Sequence, residues 1–178
     1  MKLRDATAHD VDAIGRVHVE SWRAAYPGIV PDAHLAALSP VTRAGQWRNF
    51  LSGAAGARFL IVADDDAGNV VGFAAGGPER SGDPNYVGEL YAIYMDASHW
   101  RRGVGRELAR AVARRLAATG TRSMLVWVLE ANTRARSFYE MLGGVAVRTQ
   151  SIEIGGAQLT EIAYGWSDLA VLLKSSAA

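Results

Sequence analysis

The stretch at positions 89–108, Glu-Leu-Tyr-Ala-Ile-Tyr-Met-Asp-Ala-Ser-His-Trp-Arg-Arg-Gly-Val-Gly-Arg-Glu-Leu, constrains the fold more than any other part of the chain. Its beginning is rich in aromatic and branched side chains and free of breakers until the polar turn at 96–99, which predicts a strand over 89–95. Val104, Leu108, Val112 and Leu116 then recur at helical spacing, while Arg106, Arg110 and Arg114 fall on another face, so a helix is expected over 103–118. Gly103 and Gly105 stand where that helix begins. The first turn of a helix offers backbone N–H groups with no intrahelical partner, and its dipole favours negative charge. Glycines admit an anion close to that backbone, and Arg101, Arg102 and Arg106 add positive charge. Positions 101–106 therefore read as a phosphate or pyrophosphate cradle.

Three nucleotide-binding patterns compete for this loop. A P-loop needs Lys-Ser/Thr after its last glycine, and none is present. A dinucleotide-binding fingerprint needs Gly or Ala at its sixth position, where Leu108 stands. The third fits better: the run resembles motif A of the GNAT superfamily of N-acetyltransferases, whose signature is Gln/Arg-x-x-Gly-x-Gly/Ala. Trp100 occupies the Gln/Arg position, so a side-chain contact to phosphate is expected from Arg101 or Arg102 instead.

The remaining segments follow in order. A strand is expected at 2–6, then a helix capped by Thr7 or Asp10 and running to about Tyr26, with Val11, Ile14, His18, Trp22 and Ala25 along one side. Shorter helices are expected at 32–38 and 42–51. Strands at 58–63 and 70–76 flank the acidic turn at 64–69, whose Asp triplet reads as a solvated turn, not a metal site. Glycine and proline at 76–78 and 82–84 mark a loop. A buried strand at 123–129, a helix at 132–142 closed by Gly143-Gly144, a hairpin of 145–154 with 158–166, and a helical turn at 168–173 complete the chain.

The order β-α-α-β-β-β-α-β-α-β-β resembles that of a GNAT domain throughout, which implies one domain over 1–178. The residues alone establish an α/β (α+β) class with a mixed sheet. The resemblance makes that sheet twisted, mostly antiparallel and flanked by helices.

At 178 residues, 49% hydrophobic and 21% charged, the chain suits a globular domain with a real core. Its net charge of +1 gives no general pull towards nucleic acid or membrane, so neither is expected as a partner. It has no cysteine, which excludes disulfides, thiolate metal sites and an acyl-cysteine intermediate. The four histidines lack metal-ligand spacing, and no metal is expected. Neither a transmembrane run nor a signal-peptide core is present, so a cytoplasmic location is expected. The Ala- and Arg-rich usage fits a GC-rich bacterial source.

The resemblance implies a reaction: transfer of an acetyl group from acetyl-CoA to a primary amine, on a small molecule or a peptide, directly and within a ternary complex. Acetyl transfer to an amine requires a polarised thioester, a deprotonated amine and a stabilised thiolate. Glu89, at the start of the central strand, matches the position where some relatives place a general base; it could equally be a solvated carboxylate or an arginine's partner. By the same resemblance, the backbone at Ile93, Tyr94 and Met95 binds the pantetheine arm. Phosphates fall to Arg101, Arg102, Gly103, Val104, Gly105 and Arg106. Tyr139, in the motif-B-like Ala-Arg-Ser-Phe-Tyr-Glu-Met-Leu-Gly, faces the coenzyme sulfur. Asn132 both caps its helix and contacts the pantetheine arm. Trp22, Tyr26 and Tyr91, with Trp47, are candidates to line the acceptor pocket, although each also suits plain packing. Homodimers are common among similar proteins. A non-catalytic acyl-CoA-binding protein and, more weakly, a nucleotide-dependent oxidoreductase are the rival readings.

Overall fold

The structure, a computed structural model, describes residues 1–53 and 57–174. In chain order the elements are β1 (Lys2–Asp5), α1 (Val11–Ala25), α2 (Asp32–Ala37), α3 (Pro40–Ser52), β2 (Phe59–Asp64), β3 (Val70–Pro78), β4 (Gly88–Met95), α4 (Val104–Ala118), β5 (Met124–Leu129), α5 (Thr133–Met141), β6 (Val145–Ile154), β7 (Ala157–Trp166) and α6 (Leu169–Lys174). The strands form one seven-stranded sheet, β1-β2-β3-β4-β5-β7-β6. Every neighbouring pair is antiparallel except β4 and β5, which are parallel because α4 carries the chain back across the sheet.

Helices cover both faces. Val104, Leu108, Val112 and Leu116 of α4 pack with Leu90, Met124, Val126, Tyr164 and Trp166 in the larger core, which also takes in Tyr139 and Leu142. On the opposite face Ile14 and Val17 of α1 meet Leu60, Val62, Phe73 and Ala75. With both faces covered, β2 and β3 are buried almost continuously, as their unbroken apolar sequence requires.

The elements match the sequence reading closely, and two differences have physical causes. The strand was expected to stop at Gly76 and give way to a loop over 76–78, yet β3 runs on through Gly77 to Pro78. A Cβ on Gly76 would stand 2.9 Å from Val112 Cγ1, and one on Gly77 would stand 2.6 Å from the Tyr91 hydroxyl. Glycine here serves close approach inside a strand. Asp64 was placed in the solvated turn, but it ends β2 and is buried. Arg4 donates to it from Nε at 2.7 Å and holds Asp10 through both terminal nitrogens, at 2.8 Å each. This fork ties β1 and β2 to the entrance of α1, where Thr7 and Asp10 form a capping box around a short 3₁₀ turn.

The crossing of α1 and α3 depends on a single missing side chain. A Cβ on Gly15 would fall 2.4 Å from the Pro40 carbonyl oxygen and 2.8 Å from the Ala44 nitrogen. Helix propensity favours alanine over glycine by about 1 kcal/mol, while overpacking against backbone that cannot rotate away costs about 1–3 kcal/mol. The second effect wins, so Gly15→Ala should lower stability in urea unfolding, against the usual sign for glycine in a helix.

Candidate active site

The parallel ladder between β4 and β5 is very short: only Gly88 pairs with Met124 and Glu89 with Leu125. Beyond them the strands diverge, each held by its other neighbour. β4 pairs with β3 up to Met95, and β5 pairs with β7 up to Leu129. A bulge at Tyr91 bends β4 at the branch, since Ala75 pairs with Ala92 and Gly76 with Leu90. An antiparallel ladder uses the N–H and C=O of alternate residues, so alternate residues beyond the bulge direct theirs into the gap. The result is a fork, closed at Glu89 and open at the carboxyl ends of both strands.

The cradle lies at the open end. Gly103 adopts φ 82° as the N-cap of α4, and Arg101 is the one non-glycine residue with positive φ among the described residues, at 60°. The first intrahelical bond runs from the Glu107 N–H to the Gly103 carbonyl at 3.1 Å, which leaves the N–H groups of Val104, Gly105 and Arg106 ahead of it. The two glycines do different work. A Cβ on Gly103 would meet nothing within 4 Å, whereas one on Gly105 would stand 2.8 Å from Met95 Cε and 3.3 Å from Phe138 Cζ. Gly105 therefore lets α4 pack against β4 and α5, a second reason for glycine beside the anion approach expected of it. Leu108 is fully buried in the same contact, where a dinucleotide fingerprint requires a small residue.

Trp100 fastens the loop by donating its indole N–H to the Met95 carbonyl at 3.2 Å. The guanidinium of Arg134, on α5, lies 3.3 Å above the Trp100 ring. Burial and the neighbouring charge of Arg101 push the Arg134 pKa down. No carboxylate is within ion-pair distance of Arg101, Arg102, Arg106 or Arg134 among the described residues. Sequence reasoning missed Arg134, whose place beside the cradle depends on the return of the chain through β5.

The walls of the fork are aromatic and hydroxyl-bearing. Ile93 and Met95 pack towards α4, and Tyr94 packs towards α1. Asn132 caps α5 by accepting from the Ala135 N–H at 3.1 Å, and its side chain also reaches the Tyr26 hydroxyl. Tyr26 is in polar contact with Tyr94 and in ring contact with Trp22 at 4.8 Å. Tyr139 is only 5% exposed. Burial, with the nearby Tyr94 phenol, pushes its pKa well above the ordinary tyrosine value. The structure thus gathers Trp22, Tyr26, Tyr94, Asn132 and Tyr139 around one region.

Two sequence-predicted residues stand elsewhere in the fork. Glu89 is 3% exposed at the closed end. Its Oε2 accepts from the Arg80 N–H at 3.2 Å and from Arg80 Nε at 3.0 Å, and its Oε1 accepts from the Arg80 terminal nitrogen. It is an arginine's partner, one of the roles its position suggested. Tyr91 donates its hydroxyl to the Pro78 carbonyl at 2.5 Å, lies under Arg80, and makes its ring contact with Phe50, not with Trp22 or Tyr26.

His18 was read as a helix-face residue, and it proves to be the hub of the aromatic group. It stacks on Tyr94 at 4.8 Å and lies near Trp22, Trp47 and Phe73. The available signal was a polar residue in the middle of the buried stripe of α1.

Residues 18–143 match the Acetyltransferase (GNAT) family. The chain belongs to that family. The "Uncharacterized N-acetyltransferase YuaI" of Bacillus subtilis (strain 168) is 39% identical over 96% of this chain and 95% of its own length. Among solved structures, the PaiA N-acetyltransferase of Thermoplasma acidophilum in complex with coenzyme A superposes with a TM-score of 0.72 at 18% identity, covering 90% of this chain and 96% of that one. YncA of Salmonella typhimurium with its cofactor acetyl-CoA gives 0.71 at 20% identity, covering 100% and 96%. The open, mixed seven-stranded sheet is the GNAT fold, and the chain is an acyltransferase-family enzyme. Among the described residues no group of His, Asp and Glu has metal-site geometry, and no helix is long and apolar enough to cross a membrane.

The buried histidine gives the GNAT domain a distinctive acid response. Burial and the charge of Arg43 lower the His18 pKa from 6.5 to about 3. The unfolded chain protonates this ring below about 6.5 while the folded chain keeps it neutral, so the stabilisation is complete above that pH and is lost as pH falls towards 3. Between pH 7.5 and pH 5 the wild type should lose about 2 kcal/mol more than His18→Gln in urea unfolding. Parallel losses in the two proteins would show that His18 titrates normally.

Proposed function

We propose that the chain acts as a single GNAT domain over 1–178 and transfers the acetyl group of acetyl-CoA directly to a primary amine, on a small molecule or a peptide, in a ternary complex. The observation that carries this reading is the fork between β4 and β5 with the arginine-ringed start of α4 at its mouth. The residues present fit the coenzyme. Open N–H groups and guanidiniums without acid partners suit its phosphates, and a narrow strand gap with unpaired backbone groups suits an extended amide-bearing arm. When bound, acetyl-CoA supplies an activated thioester.

The chain's own groups then divide the work. The N–H groups of Val104, Gly105 and Arg106, with Arg101, Arg102 and Arg134, hold the phosphates, while Gly103 leaves the approach open. The backbone of Ile93, Tyr94 and Met95 aligns the arm along β4, and Asn132 does so from the opposite wall. Tyr139 stays protonated because its pKa is raised, so it serves as a hydrogen-bond donor to the departing sulfur and does not surrender its proton. Glu89 is the one carboxylate on β4, and its Oε1 takes a single bond from Arg80, which leaves a lone pair to accept the amine's proton directly or through a water. Trp22 and Tyr26 line the acceptor side. The bonding of Glu89 to Arg80 is also what favours the rival reading, a coenzyme binder without turnover.

Coenzyme-dependent thiol release with a panel of primary amines tests the proposal; binding of acetyl-CoA with no release from any amine would leave the rival. On the best acceptor, Tyr139→Phe should keep coenzyme affinity and lower kcat by roughly tenfold to a thousandfold, in keeping with loss of one transition-state hydrogen bond. An unchanged kcat makes Tyr139 a core residue only.

Glu89→Gln should lower turnover at neutral pH and leave activity that climbs only at alkaline pH, where the amine is free without help. Arg80→Met supplies the contrast. It removes the carboxylate's partner and spares the carboxylate, so turnover should survive if Glu89 is the base. If both variants instead lose stability alike and keep the parental pH profile, the pair is structural.

A further inference from the structure

The reaction proposed above leaves a set of polar groups on the α1–α3 side without a task. Gly15 and Ala44 bring the two helices into backbone contact, and one turn further along each helix Trp47 meets His18. The Trp47 indole N–H donates to His18 Nδ1 at 3.1 Å. A neutral imidazole whose Nδ1 accepts must carry its proton on Nε2, so His18 presents a fixed N–H donor and cannot act there as a base. His18 is only 7% exposed, and its Nε2 is shielded from solvent without a hydrogen-bond partner. Leaving such a donor unpaired costs about 1–3 kcal/mol.

The neighbouring groups have the same polarity. The Trp22 indole N–H is buried and also lacks a partner, and it lies near the Tyr94 hydroxyl, whose pKa burial raises in spite of that neighbour. Arg43 lies 5.7 Å above the Trp22 ring, and its charge is felt at both His18 and Tyr94. Its guanidinium donates to the neutral Gln46 side chain at 2.8 Å and has no carboxylate partner among the described residues. The nearby acids on α1 are engaged with other residues, Glu20 with Arg16 and Asp12 with Arg48. Each unsatisfied group in this corner is therefore a donor or a cation, and the corner adjoins Tyr94 and Tyr26 at the fork.

We propose that this corner is an anion subsite for the acceptor, which is accordingly a primary amine that also carries a carboxylate, held by Arg43 and the His18 Nε2–H over the Trp22 ring. The inference rests on the reading of the fork as the acetyl-CoA site with the amine entering from the α1–α3 face. A guanidinium and a buried N–H would receive the carboxylate through charge-assisted bonds, and the donor left unpaired in the free protein would gain its partner on binding. Simple alkyl amines and amino-acid amides would lack that interaction.

Calorimetry with the full chain tests this independently of turnover. Coenzyme A is titrated first; then, with it saturating, each of the twenty N-acetyl amino acids is compared with its neutral carboxamide. The best-binding acid should exceed its amide by about tenfold or more, the size of one charge-assisted bond. Arg43→Met should erase the preference, and His18→Phe should weaken it several-fold, both with coenzyme affinity unchanged. His18→Gln retains a donor and should keep more of the preference than His18→Phe, which separates loss of the bond from loss of packing. Equal binding of acid and amide, no binding of any acid, or a preference that survives in Arg43→Met would overturn the subsite. Failure of coenzyme A to bind would instead overturn the reading of the fork.

Discussion

The interaction on which the rest depends is the one that stops early: two residue pairs of parallel ladder between β4 and β5. Strands in a sheet ordinarily stay together, because each backbone hydrogen bond given up forfeits about 0.5–1.5 kcal/mol. Here the neighbours enforce the separation. β3 holds β4 along its length, β7 holds β5, and the Tyr91 bulge turns β4 aside at the branch. The larger core underneath closes without needing the two strands in contact, because Leu90, Val104, Met124 and Tyr139 meet across the base of the fork. A sheet opened in this way puts unpaired backbone groups, the start of α4 and the start of α5 at one end, which is where open α/β sheets bind ligands.

Features set by local chemistry were legible in the sequence. The strand-loop-helix at 89–108, the capped helix at 133–141 and the hairpin of 145–166 each carry their own periodicity and punctuation, and they were placed within a residue or two. What escaped notice is non-local. Gly76 and Gly77 read as the point where the strand gives way to a loop, because their neighbours Phe59, Val112 and Tyr91 are invisible from the local sequence. His18 read as one position on a helical stripe, since Trp47 and Tyr94 come to it from α3 and β4. Arg134 and Trp100 are thirty-four positions apart and meet only because β5 returns beside β4. The aromatic candidates divided along the same line: Trp22 and Tyr26 face the fork together, and Tyr91, displaced by the bulge, turns towards Phe50 and Arg80.

Charge is distributed along the fork in a consistent sense. The open end carries unpaired guanidiniums, and carboxylates gather at the closed end. There the loop between β3 and β4 folds back over the sheet. Glu79 accepts from the N–H groups of Ser81 and Asp83, at 2.8 Å each, and Arg148 of β6 reaches Asp83 at 2.8 Å while stacking over Trp127 of β5. The Val87 N–H and the Asn85 carbonyl bond the Ser123 hydroxyl at 3.2 and 3.0 Å, and Gly165 lacks the Cβ that would stand 2.4 Å from the Tyr86 ring. The two-pair ladder is thus reinforced by a loop clamped to β5, β6 and β7, so the fork can be open at one end without unzipping at the other.

The same clamp bears on proton transfer. Glu79 and Glu89 have side chains only 3% exposed and Asp83 only 5%, and the guanidiniums facing them are those of Arg80 and Arg148. The charge of Arg58 is felt beside them at Tyr91, so three carboxylates face three guanidiniums and the closed end is paired. The open end, by contrast, carries guanidiniums that no carboxylate faces among the described residues. The asymmetry suits the proposed division of the gap, with the coenzyme's phosphates at the unpaired end and proton transfer at the end where carboxylates stand.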